Sequence, residues 1–430
     1  MSTPRPLQAP TLALARPPRQ TGFPWLDALR GRAWESFQRL GLPGPRLDEW
    51  KYADTHPLTQ SELRLPTGEV PPAVSAQVGI DGIDGPRAVF LDGVFHPGLS
   101  RLDDLPAGLR VRPLMEALAE DGERLSRHYG LIADLDGADA GLRALDLALA
   151  EQGAVIEVAA GTEVAVPLSL VHLVSDEGLA PQWRHLVILG EGARLTLVEH
   201  YQGLGTHWHN AVTEIDLGAR AELDHLRLYE AGEGGVHTHE TWVRVAEAGR
   251  YGSYAATAGA RLARPYTAVS LEAPEARAGL YGVYGGSGRH QADHSTRTDH
   301  RAPRTQSVQL FKGVLGAGAR GAYTGRVVVH PGAQKIEAEQ RNANLLLSRQ
   351  AEADARPQLE IYADDVKCAH GATVGELDRD ALFYLRARGI DEAAARALLT
   401  RAFVEDVLDA FPLPAAARWA RERLAPGGNP

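Results

Sequence analysis

A glycine-led turn that keeps returning is the feature that most constrains what this chain can fold into. It occurs at Gly161-Thr162-Glu163, Gly192-Ala193-Arg194, Gly218-Ala219-Arg220, Gly249-Arg250-Tyr251 and Gly279-Leu280-Tyr281. The interval is roughly 30 residues each time, within the range of repeat architectures. Similar turns recur closer together at Gly318-Ala319-Arg320 and Gly332-Ala333-Gln334. Between them lie short runs rich in β-formers, such as Val155–Val158, Leu186–Leu189, Leu195–Val198 and Val327–Val329. Strands punctuated by a turn of regular period read as a solenoid, in which each coil buries its apolar face by stacking on the last. A jelly roll or sandwich has the same texture, so the pattern alone leaves both open.

The texture is helical at both ends. Trp25, Leu29, Ala33, Phe37 and Leu40 recur at helical spacing, and Gly41 to Pro45 ends that helix. Trp25, Trp34 and Trp50 mark a compact helical subdomain. The segment from Met1 to Gln20 reads as a disordered tail, and 54 to 85, rich in Pro and Gly, as a linker. From Asp378 the period turns helical again. Asp378 or Asp380 caps a helix through Arg388 with Gly389 as its stop, Asp391 caps a second, and a third carries Trp419 after the break at Phe411 to Pro414. The expected division is 1–85 (tail, helical subdomain and linker), 86–375 (β core) and 376–430 (C-terminal helical domain).

The totals narrow the function. A net charge of −10 argues against nonspecific nucleic-acid binding, and no apolar run approaches the roughly 18 residues of a membrane span. The only cysteine, Cys368, excludes an intramolecular disulfide and fits a reducing, cytoplasmic setting. No Gly-x-x-x-x-Gly-Lys-Ser/Thr loop occurs, so ATP hydrolysis is not expected of this chain.

Two groups of residues carry chemistry. Cys368 and His370 sit two apart in a segment that reads as strand, turn, strand, so a thiol and an imidazole share one face. Both suit iron or zinc. Iron–sulfur clusters usually take four thiolates, so a chain with one cysteine must share any cluster with a partner that brings more ligands. The second group is His207 and His209 followed by Glu214, echoed by His237, His239 and Glu240. It resembles the first metal motif of cupins and makes a cupin-like metal-dependent enzyme the alternative reading. The competing reading places these as polar residues on the outer face of a solenoid.

The run from Leu345 to Ile390, LLLSRQAEADARPQLEIYADDVKCAHGATVGELDRDALFYLRARGI, is similar to the C-terminal signature of the SufB/SufD family, and its wording is SufD-like. Asp48-Glu49-Trp50-Lys51-Tyr52 resembles the EEWKYT-like motif near that family's N-terminus. The resemblance implies a mainly β fold, a right-handed parallel β-helix flanked by helical regions. It implies a non-enzymatic scaffold of the SUF iron–sulfur cluster assembly system, working in the cytoplasm with SufB and with the ATPase SufC. His370, with Cys368, would lie where the chain meets SufB and a transient, shared iron–sulfur cluster forms. The C-terminal helices would dock SufC, which puts forward Leu382, Phe383, Leu398, Leu399, Phe403 and Val407. By their bare pattern these helices read as a cap on the solenoid's end. The family's complex is also associated with reduced flavin, for which no residues are identifiable, and homodimerisation of the isolated chain stays open.

Overall fold

A computed structural model describes residues 17–72 and 78–424; most of the expected N-terminal tail therefore lies outside the described residues. From Ala154–Val158 to Val366–Gly375 successive strands alternate between two sheets, and within each sheet every strand is parallel to the next. The result is a parallel β-solenoid of about eight turns. Val236 pairs with Leu262, and Arg320 with Glu352, each residue lying under its counterpart in the next coil of the same sheet. These offsets of roughly 30 residues match the period expected from the turns, which is therefore the length of one coil.

The repeated corner itself is a residue in the left-handed region. Gly161, Gly192, Arg220, Ala248, Glu275, Arg304 and Lys335 all have positive φ. Each donates its backbone N–H to a carbonyl of the following coil, as in Gly192 to Ala219 (2.8 Å) and Arg220 to Glu247 (2.8 Å). Two of these corners are glycine, the residue that adopts this backbone without a Cβ penalty. At the others an inter-coil bond holds a larger residue there, so the glycines of the sequence pattern mark the period but not always the corner. Gly279 lies inside the strand Arg277–Gly286, and the corner of its coil is Glu275.

Both outer faces of the solenoid are covered. On one sheet, Val155, Leu186, Trp208 and Val236 pack under Leu26, Leu29, Leu142 and Leu145 of the helices Pro24–Leu40 and Gly141–Leu149. Gly141–Leu149 and a second helix, Leu114–Leu125, fall within the span read as strands and turns. The ion cluster beneath them is fully buried: Arg184 pairs with Asp146 (2.9 Å) and Glu214 (2.7 Å). Glu214 also accepts the backbone N–H of Gly130, Ile132 and Ala133, so its charge is met on every side. On the other sheet, Leu226, Leu228, Tyr254 and Val283 pack against Val404, Val407, Phe411 and Trp419. The C-terminal helices Glu392–Leu408 and Pro414–Arg423 therefore lie back along the solenoid flank and do not cap its end, because their apolar stripe matches the outer face of that sheet. Asp378 and Asp391 cap their helices through side-chain bonds to Asp380 N and Ala394 N. No helix among the described residues is long and apolar enough to cross a membrane.

The interior is polar in its middle coils. His172 stacks on Tyr201 (4.3 Å between ring centroids) and Tyr201 on Tyr229 (5.6 Å), one residue per coil. Buried Glu199 accepts from Tyr201 (2.6 Å), Thr213 (3.0 Å) and His225 (2.9 Å). Buried Arg227 donates to the hydroxyls of Thr241, Thr267 and Ser253.

Burial holds the imidazoles neutral: His185 and His300 are pushed down to about 4, His239 and His294 to about 3. In the unfolded chain each would bind a proton near 6.5. Below that pH the unfolded state binds more protons, so stability is full above 6.5 and drains away as pH falls. At pH 5 each imidazole costs about 2 kcal/mol, so four cost about 8, within reach of the whole 5–15 kcal/mol of a typical domain. Asp293, which burial pushes up to about 6, has the opposite sign but returns only about 1 kcal/mol at pH 5. Urea midpoints at pH 7.5 and pH 5 should therefore fall sharply on acidification, whereas equal midpoints would contradict the buried neutral histidines.

Candidate functional site: the open end of the solenoid

The ladder closes at one end and not at the other. At the N-terminal end the antiparallel strands Val94–Phe95 and Leu109–Pro113 finish the two sheets. At the C-terminal end Glu352–Ile361 and Val366–Gly375 are the last strands, and among the described residues nothing pairs with their outer edges. Ile361, Tyr362 and Val374 are exposed there, Tyr362 at 60%. An edge of free N–H and C=O groups with apolar side chains is a template for another strand.

Cys368 and His370 lie on this last strand. In register, Ser307, Ala338 and Cys368 form one column and Gln309, Gln340 and His370 the next. Gln309 and Gln340 are buried, and Gln309 bonds across the lumen to Thr296 and Tyr323, so Cys368 and His370 belong to the inner face at its open mouth. Cys368 packs with Val366, Leu359 and Ala363 against Val327, Val329, Ile336 and Ala338. Burial pushes its thiol above the usual cysteine value, so it is a poor thiolate in the lone chain. His370 is exposed, and among the described residues it makes no hydrogen bond or ion pair. Among those residues no group of three or more His, Cys, Asp or Glu could hold a metal ion. The mouth offers one sulfur and one imidazole.

A strap from the N-terminal motif crosses the other sheet towards this end. Trp50 lies under the Arg264 guanidinium (3.8 Å), Glu49 O accepts from Arg264 (2.6 Å), and Tyr52 O accepts from Gln291. Asp54 pairs with Arg261 (2.9 Å) and Asp48 with Arg356 of the edge strand (2.7 Å). The last pair is exposed and worth at most about 1 kcal/mol, so buried Trp50 is the anchor. Sequence reasoning singled out this motif without its docking site, since the contacts join segments at opposite ends of the chain.

The other expected residues divide by burial. Phe383 is 73% exposed and Leu398 48%, while Leu382, Leu399 and Phe403 are half-buried. Val407 is fully buried against the sheet, which corrects its place on a partner surface: the helix turns it to the solenoid flank. Lys312 ties this helix to the strand Gln306–Leu315, donating to Phe403 O (2.7 Å) and pairing with Asp406 (2.9 Å). A groove of about 480 Å³ runs from Asp406 and Lys312 past Leu310 and Arg341 to His370.

The cupin-like alternative does not survive. His207 and His209 point into the lumen, whereas Glu214, an odd number of residues on, points to the opposite face and is taken up by Arg184. His209 spends both ring nitrogens, one accepting from Trp183 Nε1 (3.2 Å) and one meeting Gln202 O (3.0 Å). The same alternation sends His237 and His239 inward and Glu240 outward to Arg143. The outer-face reading of these histidines is equally overturned.

Comparison with known proteins gives the family. Residues 19–170 match the model of the SufBD protein N-terminal region, and 172–403 that of the SUF system FeS cluster assembly SufBD core domain. An iron-sulfur cluster assembly SufBD family protein of Synechocystis sp. is 30% identical, over 87% of this chain and 85% of its own length. Iron-sulfur cluster assembly protein SufD of Escherichia coli (strain K12) is 30% identical, over 88% of this chain and 87% of its own. Protein ABCI7, chloroplastic, of Arabidopsis thaliana is 27% identical over 90% and 83%. With both family models spanning nearly its full length and its solenoid ending in the expected strands, the chain belongs to the SufBD family of SUF iron–sulfur cluster assembly proteins.

Proposed function

We propose that the chain is a non-enzymatic, cytoplasmic scaffold that pairs with a SufB-type subunit through its open solenoid end and docks a SufC-type ATPase on its C-terminal helices. The observation that carries this reading is the pair of unfinished edge strands with Cys368 and His370 at their mouth. A paralogous solenoid seated there would continue both ladders and bring the thiolates this chain lacks. The cluster is cargo of the joint, with His370 as the ligand or proton donor from this side and Cys368 as packing. In this proposal the division at residues 85 and 375 separates the strap-bearing region, the solenoid and the ATPase-docking helices. Force applied to Glu392–Leu408 would pass through Lys312 to Gln306–Leu315, two strands from His370 in the same sheet.

Two mutant sets test the two faces. Phe383→Asp with Leu398→Asp should leave stability within about 0.5 kcal/mol per site, since both are exposed, and weaken SufC binding by about 2 kcal/mol or more. Calorimetric titration of a variant with native circular dichroism checks this; undiminished affinity would remove the docking face. His370→Ala should leave folding and three-subunit assembly unchanged but lower cluster yield on anaerobic reconstitution several-fold, as read by charge-transfer absorbance. Cys368→Ala should be milder. A wild-type yield from the His370→Ala complex would overturn the site assignment.

A further inference from the structure

Gln340 sits directly beneath His370 in the ladder, and half of its amide is unaccounted for. The registers run Gln309, Gln340, His370, one residue per coil in a single column. Gln340 is 1% exposed. Its Nε2 donates back down the column to Gln309 Oε1 (3.3 Å), which fixes which end of the amide is nitrogen. Its Oε1 is buried and accepts nothing. A buried carbonyl without a donor costs about 1–3 kcal/mol, so such a group calls for a partner.

The amide has little freedom to find one elsewhere. On the facing strand a Cβ at Gly325 would lie 2.9 Å from Gln340 Nε2 and 2.5 Å from Tyr323 Oη, so the glycine is what makes room for the amide in this position. The amide below, Gln309, turns its Nε2 to Thr298 Oγ1 (3.1 Å), and it meets Gln340 through its Oε1. The next side chain along that column is His370, whose ring makes no hydrogen bond among the described residues. Neutral imidazole has one N–H, and the nitrogen that donates it decides which nitrogen is left as a lone pair.

We infer that Gln340 is a positioning residue for His370: its Oε1 accepts the imidazole N–H, selects one tautomer and leaves the other ring nitrogen free at the open mouth. Groups of this kind behind a ligating histidine orient the ring and raise its basicity. The consequence for cluster formation rests on the reading of His370 given above; the hydrogen bond itself does not.

The test is nitrogen-15 NMR of the ring nitrogens in the full chain at pH 8, with His370 assigned by its loss in His370→Ala. Wild type should show one protonated and one bare ring nitrogen, well separated in shift. Gln340→Met keeps the side-chain length, and Gln309 Oε1 stays satisfied by Thr296 (2.8 Å) and Tyr323 (2.7 Å), so the fold should hold. In that variant the two His370 shifts should move towards each other as the tautomers mix, and Gln340→Glu, which can still accept, should restore the separation. Mixed tautomers in wild type, or His370 shifts unmoved in Gln340→Met, would overturn the inference. The same variant, reconstituted with SufB and SufC, separates the two claims: shifts that merge while cluster yield stays at wild type uphold the hydrogen bond and show that cluster formation does not depend on it, and a wild-type yield from His370→Ala removes His370 from the cluster site.

Discussion

A parallel ladder satisfies each strand's backbone only through the strand before it and the strand after it. Everything distinctive here follows from where that dependence ends. The first coil is finished by short antiparallel strands and covered by helices, so its polar backbone is paired. The last coil is not finished by anything among the described residues, and the helices that could have covered it lie along the flank instead. Long parallel solenoids need caps, and the proposed function takes this uncapped end as a joint with a second subunit.

The interior shows how position is kept along the axis. Each lumen residue is held by neighbours one coil away, as Tyr201 is by His172 and Tyr229, so position is passed along the axis column by column. Polar columns cost more to bury than apolar ones, but a satisfied network fixes a single register where an all-aliphatic lumen would tolerate slippage. Glu199 with its three donors and Arg227 with its three hydroxyls are such fixing points. The last columns, ending in Cys368 and His370, are the part of this order that faces outwards.

The coil period, the terminal strand–turn–strand, the helix caps at Asp391 and at one of Asp378 or Asp380, and the pairing of Cys368 with His370 on one face were legible in the sequence, because each depends on residues close in the chain. What was not legible depends on contacts between coils or across the sheet. Glycine spacing marked the period but missed corners held by Arg220 or Glu275, where an inter-coil bond supports the positive φ. The helices at Leu114–Leu125 and Gly141–Leu149 carry no repeat signal of their own and are defined by the sheet face they cover. The histidines were read without their parity. Counting in twos from His209 to Glu214 shows that they cannot meet, but which face is the lumen follows only from the packing. The docking of Trp50 on Arg264, and the burial of Val407, likewise required the assembled coils.

The central claim is that the unfinished edge is the joint with a SufB-type subunit, and backbone hydrogen exchange reads that edge directly. In the isolated chain the outward amides of Glu352–Ile361 and Val366–Gly375 should exchange fast, and the middle coils slowly. Saturation with the SufB-type partner should slow exchange in these two strands by orders of magnitude and leave the helix Pro414–Arg423 unchanged. Edge strands that stay fast in the saturated complex, with protection arising on the flanks instead, would contradict the account.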